Sequence, residues 1–255
     1  MSKQVAEPDV DAARGSISSS VMGGQAATSG HLARLGAVAA AVGAFVLFAS
    51  TMLHPSDADP GNAPAAFAEY AADALWVWSH LGQFVGIALL GAALIGLAAT
   101  LQPGRASAWG RVAVAGATAS VAVAAGLQAV DGIALKAMVD RWAAATGQEQ
   151  GIAFEAALAV RHIEIGLASL VSISFGLTLS LYGVAILRSS RYPKWLGAVG
   201  LAGGLGTVSG GLAQASTGFS GLAMTISMSA SALLLIWMVS IAVHMWRLAQ
   251  RLDTE

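Results

Sequence analysis

The sequence predicts an all-α, polytopic transmembrane bundle with six spans. Of its 255 residues, 56% are hydrophobic and 11% are charged, and the mean hydropathy is +0.69. Soluble domains carry about 25% charged residues, so a soluble enzyme and a disordered protein are disfavoured. The 13 basic and 14 acidic residues nearly cancel, which argues against a nucleic-acid partner. The lipid bilayer is therefore the expected partner.

Six apolar stretches have the length that a membrane span requires. A helix needs roughly 20 apolar residues to cross the hydrocarbon core, because each backbone group must be hydrogen-bonded internally. The stretches are 35–53, 76–101, 109–130, 163–187, 195–215 and 222–246. They divide the chain into a disordered cytoplasmic tail at 1–30, a membrane domain at 31–248 and a cytoplasmic tail at 249–255.

The distribution of basic residues predicts that both termini are cytoplasmic. Basic residues near span ends stay on the cytoplasmic side. Ten of the 13 fall on the side of the termini: Lys3, Arg14, Arg34, Arg105, Arg111, Arg188, Arg191, Lys194, Arg247 and Arg251. The other side holds Lys136, Arg141 and Arg161 among nine acidic residues. An even number of spans agrees with this orientation.

Two segments, 54–75 and 131–161, are predicted to extend outward from the membrane. In the first, Asn62 followed by Pro64 indicates a helix start, with Phe67, Tyr70, Ala71 and Ala74 on one face. In the second, helical composition continues past the third span, breaks at 146–151 and resumes before the fourth span. Spans three and four are therefore expected to form a projecting hairpin.

Glycine residues in the second and fifth spans predict close helix packing. Between apolar helices in lipid, small residues favour association because they allow the backbones to approach. The glycines with the most suggestive spacing are Gly82, Gly86, Gly200, Gly204, Gly206 and Gly210. We expect them to pack helices within one chain, and a homo-oligomer interface is the alternative.

Polar side chains from three helices are predicted to meet near the outer boundary of the membrane. Ionisable groups at membrane depth are costly and are usually functional. The cluster comprises His80, Gln83, Gln128, Asp131, Lys136, Asp140, Arg161, His162 and Glu164. It is either an outward-facing polar pocket or a set of satisfied ion pairs that holds the hairpin together.

The cluster predicts a non-enzymatic protein with a binding, transport-associated or accessory function. Its partner could be another protein of a membrane complex. Glycine-rich phosphate loops, nucleophile elbows and membrane-protease acid pairs are absent from the sequence. Catalytic residues are therefore unknown, and no cofactor is predicted. The alternative is a metal- or haem-dependent membrane enzyme, in which His80 and His162 would ligate haem, or would bind zinc together with Asp131.

Two sequence segments resemble bacterial six-helix integral membrane proteins of unknown function. One runs from Arg34-Leu-Gly-Ala-Val through the first span to Leu53-His54-Pro55, and the other runs from Asp131 to Trp142. The resemblance covers most of residues 31–248 in layout. It implies a bacterial plasma membrane and brings no activity or site residues.

Overall fold

The computed structural model describes residues 10–254 and their side chains from residue 28 onward. It consists of eight α-helices, and a π-helical segment, Ala129–Leu135, joins the fourth to the fifth without a break. The helices are α1 (Val10–Met52), α2 (Ala63–Ala72), α3 (Trp76–Ala99), α4 (Arg105–Gln128), α5 (Lys136–Ala144), α6 (Gly147–Arg188), α7 (Lys194–Thr217) and α8 (Gly221–Leu252). No strand occurs in the described residues, and the predicted all-α class is confirmed.

Six helical segments in the described part of the chain are long and apolar enough to cross a membrane. They are Thr28–Met52, Trp76–Ala99, Arg105–Ala144, Gly147–Arg188, Lys194–Thr217 and Gly221–Leu252. The six predicted spans are therefore confirmed. The α6 helix has 42 residues and is about 63 Å long at 1.5 Å per residue. It is thus much longer than the roughly 30 Å thickness of the hydrocarbon core.

Both chain ends are more helical than the sequence predicted. The α1 helix begins at Val10, inside the segment 1–30 predicted to be disordered, while residues 1–9 of that segment lie outside the described residues. The α8 helix continues to Leu252, through most of the predicted tail 249–255. Extending a formed helix is much easier than nucleating one. In addition, an ion pair between Arg34 and Asp253 ties the two helices together.

The six membrane helices form a ring. Extensive contacts join α1 to α3, α3 to α4, α4 to α6, α6 to α7, α7 to α8 and α8 back to α1. We call the end that carries α2, α5 and the first turns of α6 the hairpin end. The opposite end, which carries Arg34 and Asp253, is the termini end.

Glycines let neighbouring helices of the ring approach backbone to backbone. A Cβ on Gly204 would lie 2.5 Å from Ser180 Oγ and 2.6 Å from the carbonyl oxygen of Gly176, so α7 lies directly against the backbone of α6 there. A Cβ on Gly86 would similarly lie 2.7 Å from the backbone nitrogen of Leu47 on α1. Gly82, Gly200 and Gly210 face side chains of Ser50, Trp237 and Ser227, whereas Gly206 is looser, with 3.4 Å to its nearest neighbour. These glycines all pack helices within one chain.

Buried aromatic side chains fasten the termini half of the ring. Tyr182 on α6 donates a hydrogen bond to the carbonyl oxygen of Leu94 on α3 at 2.8 Å. Trp237 on α8 donates to the carbonyl oxygen of Leu196 on α7 at 2.7 Å. Each ring therefore fills the apolar core while its polar atom donates a hydrogen bond to the backbone of a neighbouring helix, and buried Tyr and Trp usually find such a partner.

At the hairpin end, α2 packs against α5 and the adjoining turns of α3 and α6. Asn62 caps the helix by accepting a hydrogen bond from the backbone of Ala65, and a proline occupies the first turn, as the sequence indicated. Phe67 and Tyr70 are buried against Trp76 and Val139 in a separate hydrophobic cluster. The prediction that Ala74 lies on this face is wrong, because α2 ends at Ala72 and Ala74 is exposed.

The tip of the hairpin is tighter than predicted. The α5 helix ends at Ala144 and α6 begins at Gly147, so the break is much shorter than the predicted 146–151. Gly147 adopts φ +59°, a conformation that glycine enters at little cost and that allows the chain to reverse at once.

Candidate functional site

Polar side chains lie inside the hairpin end, beneath α2 and the connection that precedes it. We call His54, His80, Asp131, Arg161 and Glu164 the hairpin-end cluster. They come from four parts of the chain: the end of the first span, α3, the π-helical segment and α6. His80, Arg161 and Glu164 are at most 5% exposed, so the cluster is a buried charged site.

The π-helical segment sets the position of Asp131 opposite His80. Asp131 Oδ2 lies 3.1 Å from His80 Nε2, which is ion-pair distance, although the atoms are not aligned for a hydrogen bond. Trp76 Nε1 donates to the carbonyl oxygen of Asp131 at 3.0 Å, and Gly132 leaves room for the His80 ring. Short π-helical stretches are rare and are frequently found at functional sites.

His80 faces oxygen atoms with both ring nitrogens. Its Nδ1 lies 2.7 Å from the carbonyl oxygen of Trp76, while Nε2 faces Asp131. Nδ1 can donate to the carbonyl oxygen, and a second proton on Nε2 would place the positive charge of the ring beside the carboxylate. The geometry therefore favours an imidazolium at this position, beside the Asp131 carboxylate.

Arg161 and Glu164 form the most deeply buried ion pair among the described residues. Arg161 Nη1 lies 3.2 and 3.1 Å from the two carboxylate oxygens, and the side chains are only 6% and 4% exposed. Arg161 Nη2 also donates to the carbonyl oxygen of Pro60 at 3.3 Å. The guanidinium lies 5.3 Å from the Tyr70 ring and 4.6 Å from the Phe219 ring, within cation–π range.

His54 belongs to the cluster, although the sequence-based interpretation did not include it. Its ring centroid lies 4.7 Å from that of Trp76 and 5.1 Å from that of His80. Burial lowers the pKa of His54 from its ordinary value of 6.5, because desolvation disfavours the charged ring. The available signal was the Leu53-His54-Pro55 segment, in which a histidine ends a span directly before a proline that turns the chain.

Lys136 holds α2 onto the bundle. Its Nζ donates to the carbonyl oxygen of Ala71 near the end of α2 at 2.9 Å and to Asp140 at 2.7 Å. Tyr70 also lies on α2, and burial raises the pKa of its phenol, which therefore stays neutral. The predicted Lys136–Asp140 pair therefore holds α2 in place and does not belong to the buried cluster.

Gln83 and Gln128 connect α3 to α4 below the cluster. Gln128 Nε2 donates to Gln83 Oε1 at 3.3 Å, which leaves Oε1 of Gln128 buried without a partner. Among the described residues, other buried atoms without a hydrogen-bond partner include Asp131 Oδ1, Gln214 Nε2 on α7 and Ser227 Oγ on α8. Buried polar atoms are nearly always paired, so these atoms retain unused binding capacity.

The structure does not bring His162 to the cluster. His162 is exposed on α6, and its Nδ1 lies 2.8 Å from the carbonyl oxygen of Leu158 on the same helix. His80 is buried and has His54, not His162, as its histidine neighbour. Within residues 28–254, no three histidine, aspartate or glutamate side chains form a group that could hold a metal ion. The set His80, His162 and Asp131 is thus not assembled as a zinc site.

The charges of the cluster nearly balance. Arg161 and a protonated His80 balance the carboxylates of Asp131 and Glu164, so the site has little net charge. Its buried atoms without a hydrogen-bond partner are Asp131 Oδ1, which is an acceptor, and His80 Nε2, which is a donor when the ring is protonated. A small ligand that both donates and accepts hydrogen bonds would complete it.

Six apolar helices around a buried polar cluster define an integral, multi-pass membrane protein. The chain belongs to the family described as Domain of unknown function (DUF4386), whose sequence model matches residues 29–245. This match agrees with the resemblance noted from the sequence. No curated protein and no solved structure is significantly similar to the chain.

Proposed function

We propose that this chain is a non-catalytic binding protein of the bacterial plasma membrane, with both termini in the cytoplasm and the hairpin end outside. Its ligand is a small molecule that enters the hairpin-end cluster. The observation that carries this proposal is the combination of buried charges with unpaired buried polar atoms, Asp131 Oδ1 and Gln214 Nε2 among them. An unpaired buried polar group costs about 1–3 kcal/mol, a cost that a purely structural cluster would have no reason to retain.

Movement of α2 and of the connection before it offers a route by which a ligand reaches the cluster. Lys136 holds α2 through the carbonyl oxygen of Ala71, and Arg161 holds the preceding connection through the carbonyl oxygen of Pro60. These are few polar contacts for a segment that lies over the cluster, where the Tyr70 ring faces Arg161. Movement of α2 and its preceding connection would expose the cluster to outside water, as lids do in many binding proteins.

A single-cysteine reactivity experiment tests the proposal. The chain has no cysteine of its own, so Gln83→Cys places one thiol beside the cluster. The probe is 2-(trimethylammonium)ethyl methanethiosulfonate, a cation that does not cross membranes, applied to intact cells. We expect Gln83→Cys to react from outside, and we expect Lys136→Met in the same background to speed the reaction by loosening α2.

The matched control is Ala92→Cys, further along α3 on an exposed face at mid-membrane depth. It should not react with a water-soluble cation. A Gln83→Cys protein as unreactive as Ala92→Cys would overturn the proposal, because it would show a dry, permanently closed cluster. Reaction only after the membrane is permeabilised would overturn the proposed orientation.

A further inference from the structure

An apolar cavity of about 200 Å³ lies inside the ring, and side chains of α1, α3, α6, α7 and α8 line it. Leu94, Leu179, Leu234 and Met238 form much of its wall. In a soluble protein, an apolar cavity of about 150 Å³ takes up benzene. This cavity therefore has room for part of a hydrocarbon chain.

The cavity and the polar groups of the hairpin end lie on the same helix faces. Residues seven apart stand on one face of an α-helix, about 10 Å apart along its axis. Glu164 is seven residues before the cavity residue Val171, Gln214 is seven after Thr207, and Ser227 is seven before Leu234. On α3, Gln83 is four residues before Ile87, which also lines the cavity. The interior is thus polar at the hairpin end and apolar one to two turns deeper.

The cavity reaches the lipid-facing surface of the bundle. Ser231 on α8 lines it and is exposed. A long chain could therefore enter from the membrane or extend into it, while a polar head stays among the buried polar side chains.

The unpaired atoms define which head group fits. Gln128 Oε1 and Asp131 Oδ1 accept hydrogen bonds, Gln214 Nε2 donates, and Ser227 Oγ can do either. A hydroxyl group both donates and accepts. A carboxylate or phosphate would only accept, and it would meet the negative charges of Asp131 and Glu164 at short range. The balanced charge of the cluster gives no advantage to an ionic head.

We propose that the hairpin-end cluster and the apolar cavity together bind an uncharged amphiphile, a single-chain alcohol, with its hydroxyl among the polar side chains and its chain in the cavity. This proposal rests on the proposed binding function and names its ligand class. It requires no chemical step, because the alcohol is bound and released unchanged.

Photocrosslinking with a dodecanol that carries a diazirine at mid-chain tests the proposal. The purified full-length protein is placed in lipid nanodiscs, labelled, and mapped by peptide mass spectrometry. We expect saturable labelling of peptides that contain cavity residues such as Phe175 and Met238, with competition by unlabelled dodecanol. The corresponding diazirine dodecanoate should label these peptides at least tenfold less, and so should a diazirine dodecane without a head group.

A matched pair of variants on α7 tests whether the cavity holds the chain. Thr207→Phe fills the cavity, whereas Ser209→Phe makes a similar change on an exposed face; both hydroxyls bond the carbonyl oxygen four residues earlier. Thr207→Phe should lower the saturable labelling at least tenfold and Ser209→Phe should leave it unchanged. Ser231→Phe fills the cavity from α8 and keeps the test informative if Thr207→Phe does not fold.

The results separate this inference from the proposed function. Labelling that is not saturable and is spread over lipid-facing residues such as Phe45 and Ile236 would overturn the alcohol proposal, as would equal labelling by the dodecanoate. Either result could accompany a reactive Gln83→Cys, in which case the cluster still binds a ligand of another class. An unreactive Gln83→Cys would instead overturn access from outside, whatever the alcohol does.

Discussion

The rings of His54 and His80 lie side by side, with their centroids 5.1 Å apart. One ends the first span and the other occupies the first turns of α3, so the cluster depends on how the chain turns between them. The stack continues to Trp76, whose ring centroid lies 4.5 Å from that of His80. These ring contacts join the membrane helices to the segment that carries α2. Two of the rings are histidines, so protonation changes the charge inside the cluster.

Acidification should destabilise the folded protein because it protonates His54. Burial lowers the pKa of His54 below the ordinary 6.5, so the folded protein favours the neutral ring. The contribution of the neutral ring to stability is therefore lost as the pH falls below about 6.5. The charged or titratable groups that affect it are His80, Asp131 and Asp73. We expect the unfolding midpoint in SDS titrations to fall between pH 7.5 and 5.5, and to fall less in His54→Phe. Equal pH dependence in both proteins would show that His54 is not the titrating group.

Breaking the Arg161–Glu164 pair should destabilise the protein more than removing it. Arg161→Leu leaves the buried Glu164 carboxylate without its cation, which typically costs about 3–5 kcal/mol. The double variant Arg161→Leu/Glu164→Leu should recover much of that loss in the free energy of unfolding. If the single and double variants are equally destabilised, the pair is not coupled as the structure indicates.

Close contact between α6 and α7 should make one glycine intolerant of a methyl group and leave another tolerant. Gly204→Ala places a Cβ against the backbone of Gly176, and overpacking of this kind costs about 1–3 kcal/mol. Gly206→Ala meets only Ala230 at 3.4 Å and should change the free energy of unfolding by less than about 0.5 kcal/mol. Circular dichroism melts of both variants in detergent measure the difference. Similar melting temperatures would contradict the packing described here.

The proposed orientation predicts opposite labelling at the two ends of the bundle. Gln148→Cys lies at the exposed tip of the hairpin, and Thr254→Cys lies beyond the end of α8. In intact cells, a membrane-impermeant maleimide should label Gln148→Cys but not Thr254→Cys, which should become reactive only after permeabilisation. The reverse pattern would place the hairpin end in the cytoplasm.

The spans and the start of α2 were predictable because each depends on local sequence. Hydrophobic length predicted the six spans, and Asn62 before Pro64 predicted the start of α2. The members of the cluster were harder to identify, because their meeting depends on how distant helices pack. His162 was grouped with His80 by depth alone, whereas its position on α6 turns it outward.

The contributions of the π-helical segment and of Gln214 could not be predicted from the sequence. No periodicity distinguishes a π-helical segment from the α-helix on either side of it. Gln214 occurs in a glycine-rich span without neighbouring charges, and only the ring arrangement places it on the face that leads to the cavity. These features arise from tertiary packing, which a single sequence does not specify locally.

The stability of Gln214→Leu tests most directly whether the polar interior of the hairpin end is kept for binding. Gln214 is 4% exposed and its Nε2 has no hydrogen-bond partner among the described residues. If it serves a ligand, leucine relieves the desolvation cost, and the free energy of unfolding in the absence of ligand should stay the same or rise by about 1 kcal/mol or more. Tyr182→Phe, which removes the hydrogen bond to the carbonyl oxygen of Leu94, should lower it by about 1 kcal/mol in the same assay. A loss of about 1 kcal/mol or more in Gln214→Leu would show that this side chain is structural, and would contradict the account.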